Sequence, residues 1–137
     1  MTITPRIDAI GLVASDLART LMFYRAAGCD LPDPADTELG VDDHIECDLG
    51  GVRLMFDTEE VVRSFADDTW SGGGTGRLTL AAACGSPADV DRFHDVLAPL
   101  GRGSQLAPFD ASWGMRYASV FDPDGVIVHL YADLPAQ

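Results

Sequence analysis

Apolar and polar positions alternate most regularly near the end of the chain, at residues 126–131. Such alternation predicts a strand, because successive side chains of a strand point to opposite faces of its sheet. One face of this strand is wholly aliphatic, whereas the other carries the imidazole of His129 among apolar neighbours. The sequence DPDG at 122–125 is typical of a tight turn, so we predict a hairpin whose first arm begins near Trp113.

Two helices are predicted by apolar residues that recur every three or four positions after a capping residue. The first helix follows a predicted strand at 7–14, with Ser15 or Asp16 as its cap. The second follows a predicted strand at 77–84 and starts with the sequence SPAD, in which serine is the cap and proline the first helical residue. Glycines at positions 28 and 101 are expected to close the two helices.

The segments between these elements carry weaker signals. The acidic, proline-containing segment 29–43 predicts a loop with room for one short strand. Residues 44–57 predict a hairpin around a Gly-Gly turn. Residues 58–76 read as a linker with a short helical turn before three consecutive glycines.

The order of elements is the same in both halves of the chain. Aligning the turn glycines places VRLMFD over VIVHLY, and aligning the helix caps places DAIGLV over LTLAAA. The repeat predicts an α+β fold of two βαβββ modules, at about 1–57 and 77–137, joined by the linker in a single domain spanning 1–137.

The composition narrows the possible functions. Nine basic residues against 22 acidic ones give a net charge of −13, which opposes binding to the phosphates of nucleic acids. No apolar run approaches the about 18 residues of a membrane span, and the N-terminus lacks the features of a signal peptide. We therefore expect a cytoplasmic protein with no nucleic-acid or membrane partner. The three cysteines match no zinc pattern, and we expect reduced thiols.

The acidic residues are concentrated in the first half of the chain. Eight of them lie between Asp30 and Asp48, where there is no Lys or Arg. The resulting negative potential would attract cations. The alternative is a solvated acidic loop with no ligand.

Three sequences, DLARTLMFYRAAG, GGVRLMFDT and WGMRYASVFDPDGVIVHLYA, resemble the vicinal oxygen chelate superfamily, also called the glyoxalase/bleomycin-resistance fold. The resemblance covers essentially the whole chain. It implies that the two βαβββ modules pair their sheets into a cleft, commonly within a homodimer, and that the cleft binds a small molecule.

Metal-dependent members of this superfamily place His, Gln or Glu ligands at positions that match Ala9, Met55, Thr79 and His129 here. Only the imidazole of His129 is a good ligand, whereas a catalytic divalent metal requires about three protein ligands. We therefore expect neither a metal nor another cofactor.

The segment VHLYA after DPDG is similar to bleomycin-resistance proteins. WGMRYA and VRLMFDTEEVVRSF are similar to mitomycin-resistance proteins, which sequester a drug without altering it. The resemblance implies metal-independent binding of a small planar, antibiotic-like ligand, which can be cationic. It thus implies an antibiotic-resistance function. No catalytic residue is predicted, because the sequence contains no recognisable nucleophile motif.

Candidate ligand-binding residues are those that strand alternation directs into the cleft and the aromatic residues expected near its mouth. They are Trp113, His129, Asp57, Tyr117, Met55, Arg53, Thr79, Trp70 and Phe109. Trp113 would stack on a planar ligand, His129 would form a hydrogen bond to it, and Asp57 would pair with a cationic group. Trp70, in the linker, would belong to a lid.

Alternatives remain at several of these positions. His129 is either a residue of the binding pocket or a core histidine bonded to a neighbour, and Arg53 either binds the ligand or pairs with nearby acids. The assignment of side chains to the two faces of a sheet depends on strand register, because a slip of one residue moves every side chain to the opposite face. The rival function is a metal-dependent lyase, isomerase or dioxygenase of the glyoxalase type.

Overall fold

The computed structural model describes residues 7–40, 43–66 and 78–136, with only the backbone described at 65 and 66. Each half of the chain begins with a strand and a helix, which are followed by further strands. They are β1 (Ala9–Ala14), α1 (Leu17–Ala26), β2 (His44–Asp48), β3 (Arg53–Thr58), α2 (Glu59–Ala66), β4 (Thr79–Ala83), α3 (Pro87–Leu100), β5 (Ser104–Asp110), β6 (Met115–Phe121) and β7 (Ile127–Asp133).

The strands form two sheets, one in each half. The first sheet has the order β1-β3-β2, and the second has the order β4-β7-β6-β5. In both sheets the strand before the helix pairs in parallel with the last strand of its half, β1 with β3 and β4 with β7. The predicted α+β class and the internal repeat are therefore confirmed.

The first half has one strand fewer than the second. The short strand predicted as an option within 29–43 does not form in residues 29–40, which run as loop and turn. Pro32 and Pro34 lie in this segment, and proline supplies no N–H to a strand ladder. The helical turn predicted after β3 is present as α2.

Both major helices begin with the predicted caps. The side chain of Asp16 accepts a hydrogen bond from the Arg19 amide, and that of Ser86 accepts one from the Asp89 amide, each at 3.2 Å. Of the two cap candidates for α1, the structure thus selects Asp16. Gly28 follows α1 with a positive φ of 103°, a conformation that glycine adopts without a steric penalty.

The helices α1 and α3 cover one side of the two sheets. Tyr24 of α1 packs on Phe56 of β3 with ring centroids 5.2 Å apart, and α3 contacts β6 and β7. α1 and α3 also contact each other. Each sheet therefore has one face covered by its helix and one face turned away from it. We call the two faces turned away from the helices together the distal face.

Strand register determines which side chains lie on the distal face. In the first sheet, β3 contributes Arg53, Met55 and Asp57, which are cross-strand neighbours of residues 9, 11 and 13 of β1 and 48, 46 and 44 of β2. In the second sheet, His129 of β7 is a neighbour of Ala81 on β4 and Ser119 on β6. This parity agrees with the alternation predicted from the sequence.

A buried hydrogen bond joins the two halves. The Tyr24 hydroxyl donates to the Asp122 carboxylate at 2.7 Å, and the two residues are 1% and 2% exposed. The other Asp122 oxygen accepts from the amides of Asp124 and Val126, both at 2.8 Å. Burial and the adjacent Asp122 carboxylate raise the pKa of the Tyr24 hydroxyl far above its usual value. The DPDG turn of the second half is thereby attached to α1 of the first.

Replacement of Tyr24 by Phe should lower the free energy of unfolding by about 1–3 kcal/mol, because the buried Asp122 oxygen would lose its partner. Urea unfolding measures this loss. Tyr117→Phe is the matched control: its hydroxyl has no hydrogen-bond partner in the described residues, and the expected change is within about 0.5 kcal/mol. Equal effects of the two substitutions would contradict the assigned role of the buried bond.

Candidate functional site

Four rings meet on the distal face of the second sheet, and we call them the aromatic cluster. They belong to Phe109, Trp113, Tyr117 and His129. The Tyr117 centroid lies 5.4 Å from that of Trp113 and 5.3 Å from that of His129, and Phe109 lies 6.2 Å from both Trp113 and Tyr117. Trp113 is 58% exposed and Phe109 is 37% exposed. A large aromatic surface is therefore open to solvent.

The β5–β6 hairpin positions these rings. Phe109 and Tyr117 are cross-strand partners, and Tyr117 is also opposite Tyr131 of β7. The turn is closed by hydrogen bonds between the backbones of Ala111 and Met115 at 2.8 Å and of Gly114 and Ala111 at 3.1 Å. Gly114 has a φ of +85°, which disfavours other residues there. The tight turn places Trp113 immediately before the start of β6.

His129 is the polar member of the aromatic cluster. Its Nδ1 atom is buried and has no hydrogen-bond partner in the described residues. The neighbouring polar side chain on β6, Ser119, instead donates to Gln105 Oε1 at 2.7 Å. One interpretation of His129 was a core histidine that is hydrogen-bonded to a neighbour. The described part of the chain contains no such hydrogen bond to Nδ1.

The distal face of the first sheet is charged. His44 lies between two carboxylates, with Nδ1 2.5 Å from Asp57 and Nε2 2.6 Å from Glu46. Arg53 Nη1 donates to the other Glu46 oxygen at 3.0 Å, and its Nη2 lies 3.7 Å from Asp8. An ionised carboxylate only accepts hydrogen bonds, so both ring nitrogens of His44 must donate, as they do in the imidazolium.

We call the side chains of His44, Glu46, Arg53 and Asp57 together the charged row. Their contacts shift the pKa values of His44 and Glu46. Hydrogen bonds to Glu46 and then to Asp57 raise the pKa of His44. The hydrogen bonds from His44 and then from Arg53 lower the pKa of Glu46. The two predicted site residues in this row, Asp57 and Arg53, are therefore already paired with protein groups.

Sequence reasoning did not find His44 and Glu46. β2 places both residues on the distal face, opposite Asp57 and Met55. The alternation of His44, Glu46 and Asp48 with Ile45 and Cys47 was the available signal.

The nine predicted site residues do not form one group. The structure brings Phe109, Trp113, Tyr117 and His129 together, whereas Arg53, Met55 and Asp57 lie on the first sheet. Thr79 begins β4 opposite Ile127 and is exposed. In the described ranges, no hydrogen bond or ion pair connects these last four residues to the aromatic cluster. Trp70 lies outside the described residues.

A sequence model described as the Glyoxalase/Bleomycin resistance protein/Dioxygenase superfamily matches residues 6–130. The chain belongs to this superfamily. No curated protein matches the chain.

Solved structures of the superfamily share the fold at low sequence identity. A glyoxalase/bleomycin resistance protein/dioxygenase from Nocardioides is 22% identical over 100% of this chain and 91% of its own, with a TM-score of 0.65. A family enzyme from Burkholderia phytofirmans PsJN is 14% identical over 95% and 100%, with a TM-score of 0.74. A lactoylglutathione lyase from Agrobacterium tumefaciens is 17% identical over 96% of both chains, with a TM-score of 0.61.

The superfamily includes metal-dependent members, so we compared the residues of this chain at the positions of their metal ligands. Ala9, Met55, Thr79 and His129 provide a methyl group, a thioether, a hydroxyl and one imidazole, which do not fit a divalent centre with three strong ligands. Among the described residues, no group of three or more His, Cys, Asp or Glu side chains is placed to hold a metal ion. No helix in the described ranges is long and apolar enough to cross a membrane.

The raised pKa of His44 predicts a pH-dependent contribution to stability. The imidazolium stabilises the fold below the ordinary histidine pKa of about 6.5, and this contribution is lost as the pH rises through the raised folded-state pKa. Wild type should therefore exceed His44→Gln in free energy of unfolding near pH 6 by less than about 1 kcal/mol, because the pair is exposed, and the difference should vanish at higher pH.

Urea unfolding of both proteins across this pH range measures the difference. The double variant Glu46→Gln/Asp57→Asn keeps the imidazole but removes both carboxylates, and it should lose the His44-dependent pH effect. Parallel pH profiles for wild type and His44→Gln would rule out the coupling.

Proposed function

We propose that this protein binds and sequesters a small, planar, cationic, antibiotic-like ligand without a metal. The observation that carries the proposal is the aromatic cluster, which is exposed on the distal face rather than sealed into the core. Large exposed aromatic surfaces on one sheet are typical of ligand sites. A resistance function for the host and a homodimer are further parts of the proposal, based on the family resemblance. A cytoplasmic location, expected from the sequence, is another part.

Trp113 would provide the main contact. Its indole is more than half exposed, so a flat ring can cover it and remove apolar surface from water. Stacking adds about 0.5–1.5 kcal/mol beyond burial, and a cationic ring adds about 0.5–2 kcal/mol through attraction to the aromatic face. Phe109 and Tyr117, in edge contact with Trp113, hold the indole in position before the ligand arrives.

The negative charge of the protein supports the choice of a cation. A net charge of −13 raises the local concentration of cations and their rate of association. Asp57 contributes to this field, but its carboxylate is paired with His44. A direct salt bridge to the ligand would first require that pair to open, so we assign the specific contacts to the aromatic cluster.

A metal-dependent lyase, isomerase or dioxygenase is the second candidate. It is supported by the structural similarity to the lactoylglutathione lyase from Agrobacterium tumefaciens. Elemental analysis of the purified protein separates the two candidates: near-stoichiometric Zn, Fe, Ni or Mn would favour the enzyme. A binding protein should also return its ligand chemically unchanged.

The tricyclic cation proflavine is a suitable probe, and its fluorescence anisotropy reports binding without relying on tryptophan. Trp113→Ala should weaken the Kd by about tenfold, corresponding to about 1.4 kcal/mol, because the stacking surface is removed. Trp113→Phe should retain most of the affinity.

Leu106→Ala provides the matched control. Leu106 is also an exposed apolar residue, at 42%, but it is outside the aromatic cluster. Its replacement should leave the Kd unchanged. Saturable binding that is unaffected by Trp113→Ala would place the site elsewhere, and the absence of binding would reject this class of ligand.

A further inference from the structure

The two ring nitrogens of His129 have different surroundings. Nδ1 is buried without a partner, and no hydrogen bond to Nε2 is present in the described residues. Nε2 is not among the buried unpartnered atoms, so solvent reaches it. The imidazole therefore has a closed side, toward the sheet, and an open side, toward the distal face.

This difference determines which nitrogen carries the proton in the neutral ring. A neutral imidazole has one N–H donor and one lone-pair acceptor. A buried N–H without an acceptor is rarer in proteins than an incompletely satisfied acceptor. Proton placement on Nδ1 would create such a donor, because no acceptor in the described residues, including the hydroxyl oxygen of Ser119, lies within hydrogen-bond distance of Nδ1, and Ala81 on the other side has no polar side chain. The favoured tautomer has the proton on Nε2.

We propose that His129 acts as a hydrogen-bond donor through Nε2 and selects planar ligands that carry an acceptor, such as a ring carbonyl, at the edge of the stacked ring. This inference rests on the proposed function and specifies its ligand class. Tyr117 lies between Trp113 and His129 in the aromatic cluster. A ligand that stacks on the indole and extends across Tyr117 brings its edge to the imidazole.

Nitrogen-15 NMR of the labelled protein without ligand tests the tautomer directly. At a pH where the ring is neutral, the His129 signals should show a protonated Nε2 and an unprotonated Nδ1. His129→Gln identifies the signals by their loss. A proton on Nδ1 would overturn the proposal, whatever the ligand proves to be.

Two probes with the same cationic propylamine chain test the selectivity. One carries an anthracene ring, and the other carries an anthraquinone ring, which differs by two carbonyl acceptors. Wild type should bind the anthraquinone about tenfold more tightly, as expected for one added hydrogen bond. In His129→Phe this ratio should fall to about one, because the ring is kept and the donor is lost. In His129→Gln, whose amide can donate, part of the ratio should remain.

Ser119→Ala is the control for the other polar side chain in this part of the sheet, and it should keep the full ratio. Loss of the ratio in Ser119→Ala but not in His129→Phe would assign the donor to Ser119 and overturn the proposal. Equal binding of both probes by wild type would also overturn it while leaving the proposed function intact. If neither probe binds, the proposed function itself fails, and the NMR result still decides the tautomer.

Discussion

The buried contact between Tyr24 and Asp122 determines how the two halves of this protein sit together. A carboxylate removed from water is unfavourable unless hydrogen bonds replace the lost hydration. Asp122 receives those bonds from its own turn and from a hydroxyl of the other half. The amide of Ser15, just before α1, also donates to Asp124 at 3.2 Å. The entry and body of α1 are thus anchored to one turn, and this turn connects the helix of the first half to the second sheet.

The distal face carries a different chemistry on each sheet. The second sheet presents aromatic rings, and the first presents alternating positive and negative groups. The charged row is largely neutralised by its own ion pairs, whereas the aromatic cluster has no covering element among the described residues. This difference explains why the specific contacts of a ligand are better assigned to the second sheet, whereas the attraction of a cation is assigned to the net charge of the whole protein.

The sequence predicted best the features that depend on residues close together in the chain. Strand alternation correctly predicted the facing of Met55, Asp57 and His129, and cap chemistry correctly predicted the start of both major helices. Prediction was weaker where pairing between strands matters. The roles of Asp57 and Arg53 change once His44 and Glu46 are known to lie beside them, and those neighbours depend on the register of β2 against β3. The optional strand within 29–43 does not form in the described residues 29–40, because proline opposes strand pairing.

The internal repeat also reveals a difference between the two hairpin turns. Asp48 occupies the same place before its turn as Asp122, and it accepts a hydrogen bond from the Gly50 amide at 2.8 Å, as Asp122 does from Asp124. Asp48, however, is exposed, and within the described residues it has no counterpart of the Tyr24 bond. If the halves arose by duplication, the two turns have since come under unequal constraint. Asp48 of the first turn can be replaced with little loss of stability. Replacement of Asp122 in the second turn would break its hydrogen bond with Tyr24.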